Sequence, residues 1–136
     1  MRVVIVDDDK DFLRSLTLLL LKAGHEVISF DDPQAALSFL QSDNRVDALF
    51  VDLVLPGFCG GGERLLREAD KALGGSTARF VVSGHTEIMA KLDPEVFKIR
   101  AFFIKPPDIE AVLAALKDLE DGCDCPGAED CKGRSG

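Results

Sequence analysis

Five short runs of branched and aromatic apolar residues recur along the chain: VVIV at 3–6, EVISF at 26–30, DALFVD at 47–52, RFVVS at 79–83 and AFFIK at 101–105. The first has no polar face at all, which suits only a strand covered on both sides. Between successive runs lies a connection long enough for a helix. Such connections join parallel strands by right-handed crossovers and place helices on both faces of the sheet. The intervening stretches carry the matching pattern. Residues 10–23 set Phe12, Leu16, Leu19 and Leu20 on one face, with Gly24 as a stop. DDP at 31–33 provides an Asp cap and a proline at the first helical position ahead of AALSFL. Further helices are predicted over 63–73, 86–92 and 107–120, the last with Ile109, Val112, Leu113, Leu116 and Leu119 at helical spacing. Pro94 should end the 86–92 helix or open a separate turn. The expectation is an α/β fold, a doubly wound five-stranded parallel sheet in a single domain over 1–120. Residues 121–136 are expected to form a flexible tail or the start of a linker.

With 136 residues, 46% of them hydrophobic, the chain can bury one real core. The leucine-rich run LTLLLL at 16–21 falls far short of the roughly 18 apolar residues of a membrane span. A strand pattern begins at once, so no secretory signal is expected and the chain should be cytoplasmic. A net charge of −8 argues against nucleic acid binding by this domain, because phosphate contacts need clustered Lys and Arg. Cys59 stands alone, and Cys123, Cys125 and Cys131 form C-x-C-x5-C in the tail. That spacing lacks the paired C-x2-C of a zinc knuckle and has no nearby His. The Gly, Asp and Pro around it fit an unstructured segment.

In doubly wound sheets ligands bind beyond the carboxyl ends of the strands. At those ends stand Asp7 and Asp8, Asp52, Ser83 and Lys105. Adjacent carboxylates repel, and desolvating them is costly unless something compensates. Asp9 is placed to cap the first helix. Asp7, Asp8 and Asp52 together suit a hard divalent cation, Mg2+ in particular. Lys105 could hold Asp52 and later a phosphoryl oxygen, while Ser83 offers a hydroxyl donor. A carboxylate nucleophile beside Mg2+ and a Lys fits formation of an aspartyl phosphate.

Four motifs, VDD at 6–8, VDLVLPG at 51–57, VSG at 82–84 and IKPP at 104–107, occur in this order within residues 1–120. In this respect the sequence resembles the receiver domain of two-component response regulators, which implies a flavodoxin-like (βα)5 fold. By that resemblance Asp52 is the phosphoacceptor. Asp7, Asp8, Asp52 and the backbone carbonyl of Val54 ligate Mg2+. Ser83 and Lys105 bind the phosphoryl group, Ser83 and Phe102 are the switch residues, and the Lys105–Pro106 bond is cis. The implied partners are a sensor histidine kinase or phosphotransfer domain and a downstream protein target. Phe102 and Phe103 alternate along a strand, so one should be core and the other, Phe102, should face outward. His85 is expected to be a solvated loop residue. Val54, apolar and two beyond Asp52, would not orient an attacking water, which implies a slowly lost phosphoryl group.

The sequence departs from the family pattern in places. Cys59 stands where an acidic residue is usual. GGG at 60–62 adds a residue and weakens the start of the third helix by roughly 1 kcal/mol per glycine relative to Ala. Pro94 shortens the fourth helix, on the face that commonly reports phosphorylation. Leu18 or Leu21, if exposed, would support a homodimer. Two other classes compete. A haloacid-dehalogenase-like phosphatase would use Asp7 and Asp9 as D-x-D, but Asp52 would then have no role and the usual Thr is missing. A pseudo-receiver, purely an interaction module, is opposed by the intact Asp52, Lys105 and acidic pair. The chain is expected to be a stand-alone receiver or part of a larger regulator.

Overall fold

Val3, Val4, Ile5 and Val6 are all buried, as a strand in the middle of a covered sheet must be. The computed structural model describes residues 1–42, 45–73 and 76–121. Its strands are β1 (Arg2–Val6), β2 (Glu26–Phe30), β3 (Ala48–Val51), β4 (Ala78–Ser83) and β5 (Ile99–Ile104). Its helices are α1 (Lys10–Lys22), α2 (Pro33–Gln41), α3 (Gly61–Leu73), α4 (Thr86–Met89), α5 (Pro94–Phe97) and α6 (Ile109–Glu120). The strands form one parallel sheet in the order β2-β1-β3-β4-β5. The expected doubly wound α/β fold is therefore present. The tail cysteines Cys123, Cys125 and Cys131 lie outside the described residues.

Two apolar layers sandwich the sheet. On one face Leu13, Leu16 and Leu20 of α1 and Val112 and Leu116 of α6 cover Val3, Ile5, Phe50, Phe80 and Val82. On the other, Leu37 and Leu40 of α2 and Leu65, Leu66 and Ala69 of α3 cover Val4, Val6, Leu49, Val51 and Val81. Odd and even positions of β1 thus serve different layers, the period-two rule of a strand. Phe50 and Phe80 stack at a centroid distance of 4.8 Å in the first layer.

The structure corrects three local expectations. The buried stripe of α1 is Leu13, Leu16 and Leu20, and Leu19 is exposed together with Leu18 and Leu21. The run of leucines offers two overlapping stripes at helical spacing, and packing against the sheet selects one. The 86–92 helix is shorter than expected, and the separate turn expected at Pro94 is a second short helix. α4 ends at Met89, and Pro94 opens α5 at a helical N-terminus capped by Asp93, whose side chain accepts the Glu95 amide. Finally, neither Phe102 nor Phe103 is fully core. Both are half-buried and serve opposite layers, because both faces of the edge strand are covered.

Candidate functional site

The register of the ladder brings the strand ends together. Val6 pairs with Val51, Val51 with Val81, and Ser83 with Ile104. The first residues past the strands continue the pattern. The Asp52 amide donates to the Val6 carbonyl at 3.1 Å, and the Lys105 amide to the Ser83 carbonyl at 3.1 Å. One residue on from the central strands, Asp7 and Asp52 are therefore held by backbone bonds before any side chain acts.

The three consecutive aspartates separate into three environments. Asp7 is 1% exposed, and its Oδ1 accepts the Asp9 amide at 2.9 Å. Asp8 is exposed. Asp9 caps α1, its Oδ1 accepting the amides of Asp11 at 3.0 Å and Phe12 at 3.2 Å. Asp9 thus takes the helix-capping role expected of it.

Lys105 closes the site. Its ammonium lies 2.8 Å from Asp52 Oδ2, to which it donates, and 2.5 Å from Asp7 Oδ2. The second contact is one of charge only: Asp7 Oδ2 is buried and accepts no hydrogen bond of acceptable geometry. Asp52 Oδ1 accepts the Val54 amide at 3.1 Å. Burial pushes the Asp7 carboxyl above its ordinary range, the nearby Asp52 charge adds to the rise, and the close Lys105 ammonium and the hydrogen bond from the Asp9 amide only partly offset it. Burial pulls the Lys105 ammonium down, but Asp52 and Asp7 together hold it above the usual lysine value. One ammonium thus leaves Asp7 under-compensated.

That shortfall is the test of whether a divalent cation fits. One oxygen from each of Asp7, Asp8 and Asp52 lies within 4.8 Å of the other two. Three converging carboxylates, only two of them paired with the one ammonium, and a buried oxygen that lacks a directed donor suit a hard oxygen-seeking dication. The residues present fit Mg2+.

Of the remaining candidates, Ser83 is fully buried at the end of β4 and its Oγ accepts the His85 amide at 3.2 Å. A hydroxyl that accepts in this way still has its hydrogen to donate. Phe102 stands apart from the carboxylates, beside Val81 on β5. The Lys105–Pro106 peptide bond is cis. The His85 side chain is about half exposed.

Two features escaped the sequence reading. A Cβ on Gly62 would sit 2.2 Å from the Asp52 carbonyl oxygen, and one on Gly61, whose φ is +57°, 2.3 Å from the Leu53 carbonyl oxygen. These glycines let α3 start directly behind Asp52, and three glycines after an acid-ended strand were the available signal. Phe12 lies beneath Lys105, its ring centroid 4.6 Å from the ammonium. Its place among apolar helix positions carried no such signal.

Comparison with known proteins finds relatives and solved folds that match most of the chain. PilG of Pseudomonas aeruginosa is 27% identical over 117 residues, covering 86% of this chain and 85% of PilG. A response regulator receiver protein of Anaeromyxobacter sp. is 36% identical over 84 residues; the match spans 62% of this chain and 34% of that relative's length. A CheY-like receiver domain protein of Methanospirillum hungatei superposes with a TM-score of 0.80 at 25% identity, covering 93% of this chain and 98% of that one. The family model of the response regulator receiver domain matches residues 3–117. Matched from its first strand into its last helix, the chain belongs to the response regulator receiver domains, the phosphoacceptor modules of two-component signalling.

Proposed function

We propose that this domain is a Mg2+-dependent phosphoacceptor switch that takes a phosphoryl group onto Asp52 from the phosphohistidine of a sensor histidine kinase or phosphotransfer domain. The observation that carries the reading is the single ammonium of Lys105 set against both Asp7 and Asp52, 2.5 and 2.8 Å away, at a rim that also holds Asp8 and Ser83. Asp7, Asp8, Asp52 and the Val54 carbonyl would hold Mg2+, which supplies charge neutralisation to the transferring phosphoryl oxygens. An Asp52 carboxylate oxygen attacks phosphorus as the donor P–N bond breaks. The imidazole leaves with the electron pair and is reprotonated from solvent. Lys105 exchanges its carboxylate contact for a phosphoryl oxygen, and Ser83 donates its hydroxyl to another. Ser83 and Phe102 then relay the change to a downstream protein target. The protein acts in the cytoplasm; among the described residues no helix is long and apolar enough to cross a membrane.

Intact mass after incubation with Mg2+ and acetyl phosphate tests the reading. One added phosphoryl group is expected, absent from Asp52→Ala and absent with EDTA. A folded chain that takes no adduct would show the site to be a binding surface. The same measurement followed in time reads the lifetime. Val54 puts an apolar, half-buried side chain two residues beyond Asp52, with nothing to orient water. The adduct should persist for minutes or longer, and loss within seconds would contradict this.

A further inference from the structure

The Lys105 ammonium has three neighbours supplied by three different elements. Asp7 Oδ2, past β1, is at 2.5 Å, Asp52 Oδ2, past β3, at 2.8 Å, and the Phe12 ring, in the first turn of α1, at 4.6 Å from its centroid. An aromatic face within about 6 Å attracts a cation, more strongly where water is partly excluded. The Lys105 side chain is only 21% exposed. Phe12 is not placed there by chance rotation of a loop. Its amide donates to Asp9 Oδ1 at 3.2 Å, and the Asp9 amide in turn donates to Asp7 Oδ1 at 2.9 Å, so one cap ties the backbone from which the ring extends to the Asp7 carboxylate.

We propose that Phe12 is a positioning residue for Lys105: its ring seats the ammonium against Asp7 and Asp52 and so sets how readily a divalent cation displaces it. The two carboxylates that the ammonium touches are two of the three that can converge on a metal ion. The two cations therefore compete for the same oxygens, and whatever holds the ammonium in place weakens metal binding in the resting domain. Phe12 makes Lys105 the stronger competitor. The inference rests on the receiver reading above.

The test is a Mg2+ titration of the 15N-labelled full chain, followed through amide shifts around Asp7, Asp8 and Asp52; with no Trp or Tyr there is no indole or phenol fluorescence to follow. Phe12→Leu should bind Mg2+ about two- to fivefold more tightly than the wild type, the fold-change of one partly screened cation–π contact. Phe12→Tyr, which keeps the ring, should match the wild type. In a Lys105→Met background Phe12→Leu should change nothing further, since the competitor is gone. Damage to the fold would weaken Mg2+ binding, the opposite sign. Should Phe12→Leu lose its dispersed spectrum, Phe12→Met keeps comparable volume without the ring face and is read in the same way. Unchanged or weaker binding in a folded variant overturns the proposal, as does an equal gain in the Lys105→Met background. A wild-type chain that shows no saturable Mg2+ response overturns the receiver reading itself, and this inference with it.

Discussion

At Asp70 two cations converge on one carboxylate oxygen, Arg79 Nη1 at 2.5 Å and Lys98 Nζ at 3.2 Å. The Arg79 side chain is 1% exposed although it lies on a strand, so its charge depends on carboxylate compensation. Hydrogen bonds from Arg79 and then Lys98 hold the Asp70 carboxyl below its ordinary value of 3.8. The folded state therefore binds this proton less readily than the unfolded state. Its contribution to stability is complete above 3.8 and is lost as pH falls through the lowered folded value. Asp70→Asn should cost about 1–2 kcal/mol near neutral pH, a figure kept small because the carboxylate is partly solvated. Urea midpoints of the two proteins should converge on acidification below 3.8; a gap that widens there would refute the assignment. This pair was not legible in the sequence, since nine positions and the change from α3 to β4 separate its members. The strand-end residues Asp7, Asp52, Ser83 and Lys105 were legible, because each directly follows or ends an apolar run of fixed period.

The start of α3 shows how an element can serve a site by lacking side chains. As a helix N-terminus, Gly60, Gly61 and Gly62 are poor choices on propensity alone. Gly61 donates its amide to the Phe58 carbonyl at 2.9 Å, and Gly62 to the Leu53 carbonyl at 3.0 Å, which draws the helix against the Asp52 peptide. Gly62→Ala should destabilise the domain by about 1–3 kcal/mol, the usual cost of overpacking. Because the clash is with the Asp52 carbonyl, it should also slow phosphorylation at saturating Mg2+. Chemical denaturation and the mass assay read the two effects separately, and a wild-type rate would show that Asp52 is not positioned from behind. The break between α4 and α5 was half legible. Pro94 announced a discontinuity, but only the Asp93 cap and the Arg67 guanidinium 5.6 Å over the Phe97 ring define a second helix seated on α3. In α1 the leucine run admitted more than one face, and the choice fell to the sheet beneath it.

For the whole molecule, folding assembles an acidic cluster at a free-energy cost that a divalent cation would offset. Mg2+ at ten times its dissociation constant should stabilise the domain by about 1.4 kcal/mol through mass action. That corresponds to a rise in Tm of roughly 4–8 °C for a domain of this size. The rise should disappear with EDTA and in Asp52→Ala. It should also shrink as pH falls through the raised Asp7 value, since a protonated Asp7 cannot ligate. Calorimetry checks each point, and a shift that survives in Asp52→Ala would move the cation elsewhere. The sequence by itself determined the layer architecture, the parallel sheet and the side of the sheet where Asp7, Asp52, Ser83 and Lys105 gather. These follow from periodicity and from the rule that ligands sit beyond the carboxyl ends of parallel strands. Only the tertiary structure decided which aspartate is buried, which is solvated and which caps a helix. It alone put Phe12 under Lys105, Gly62 behind Asp52 and Arg79 against Asp70. The reason is physical: burial pattern repeats locally along a chain, whereas compensation of charge depends on which distant groups the packed layers bring within a few ångströms of one another.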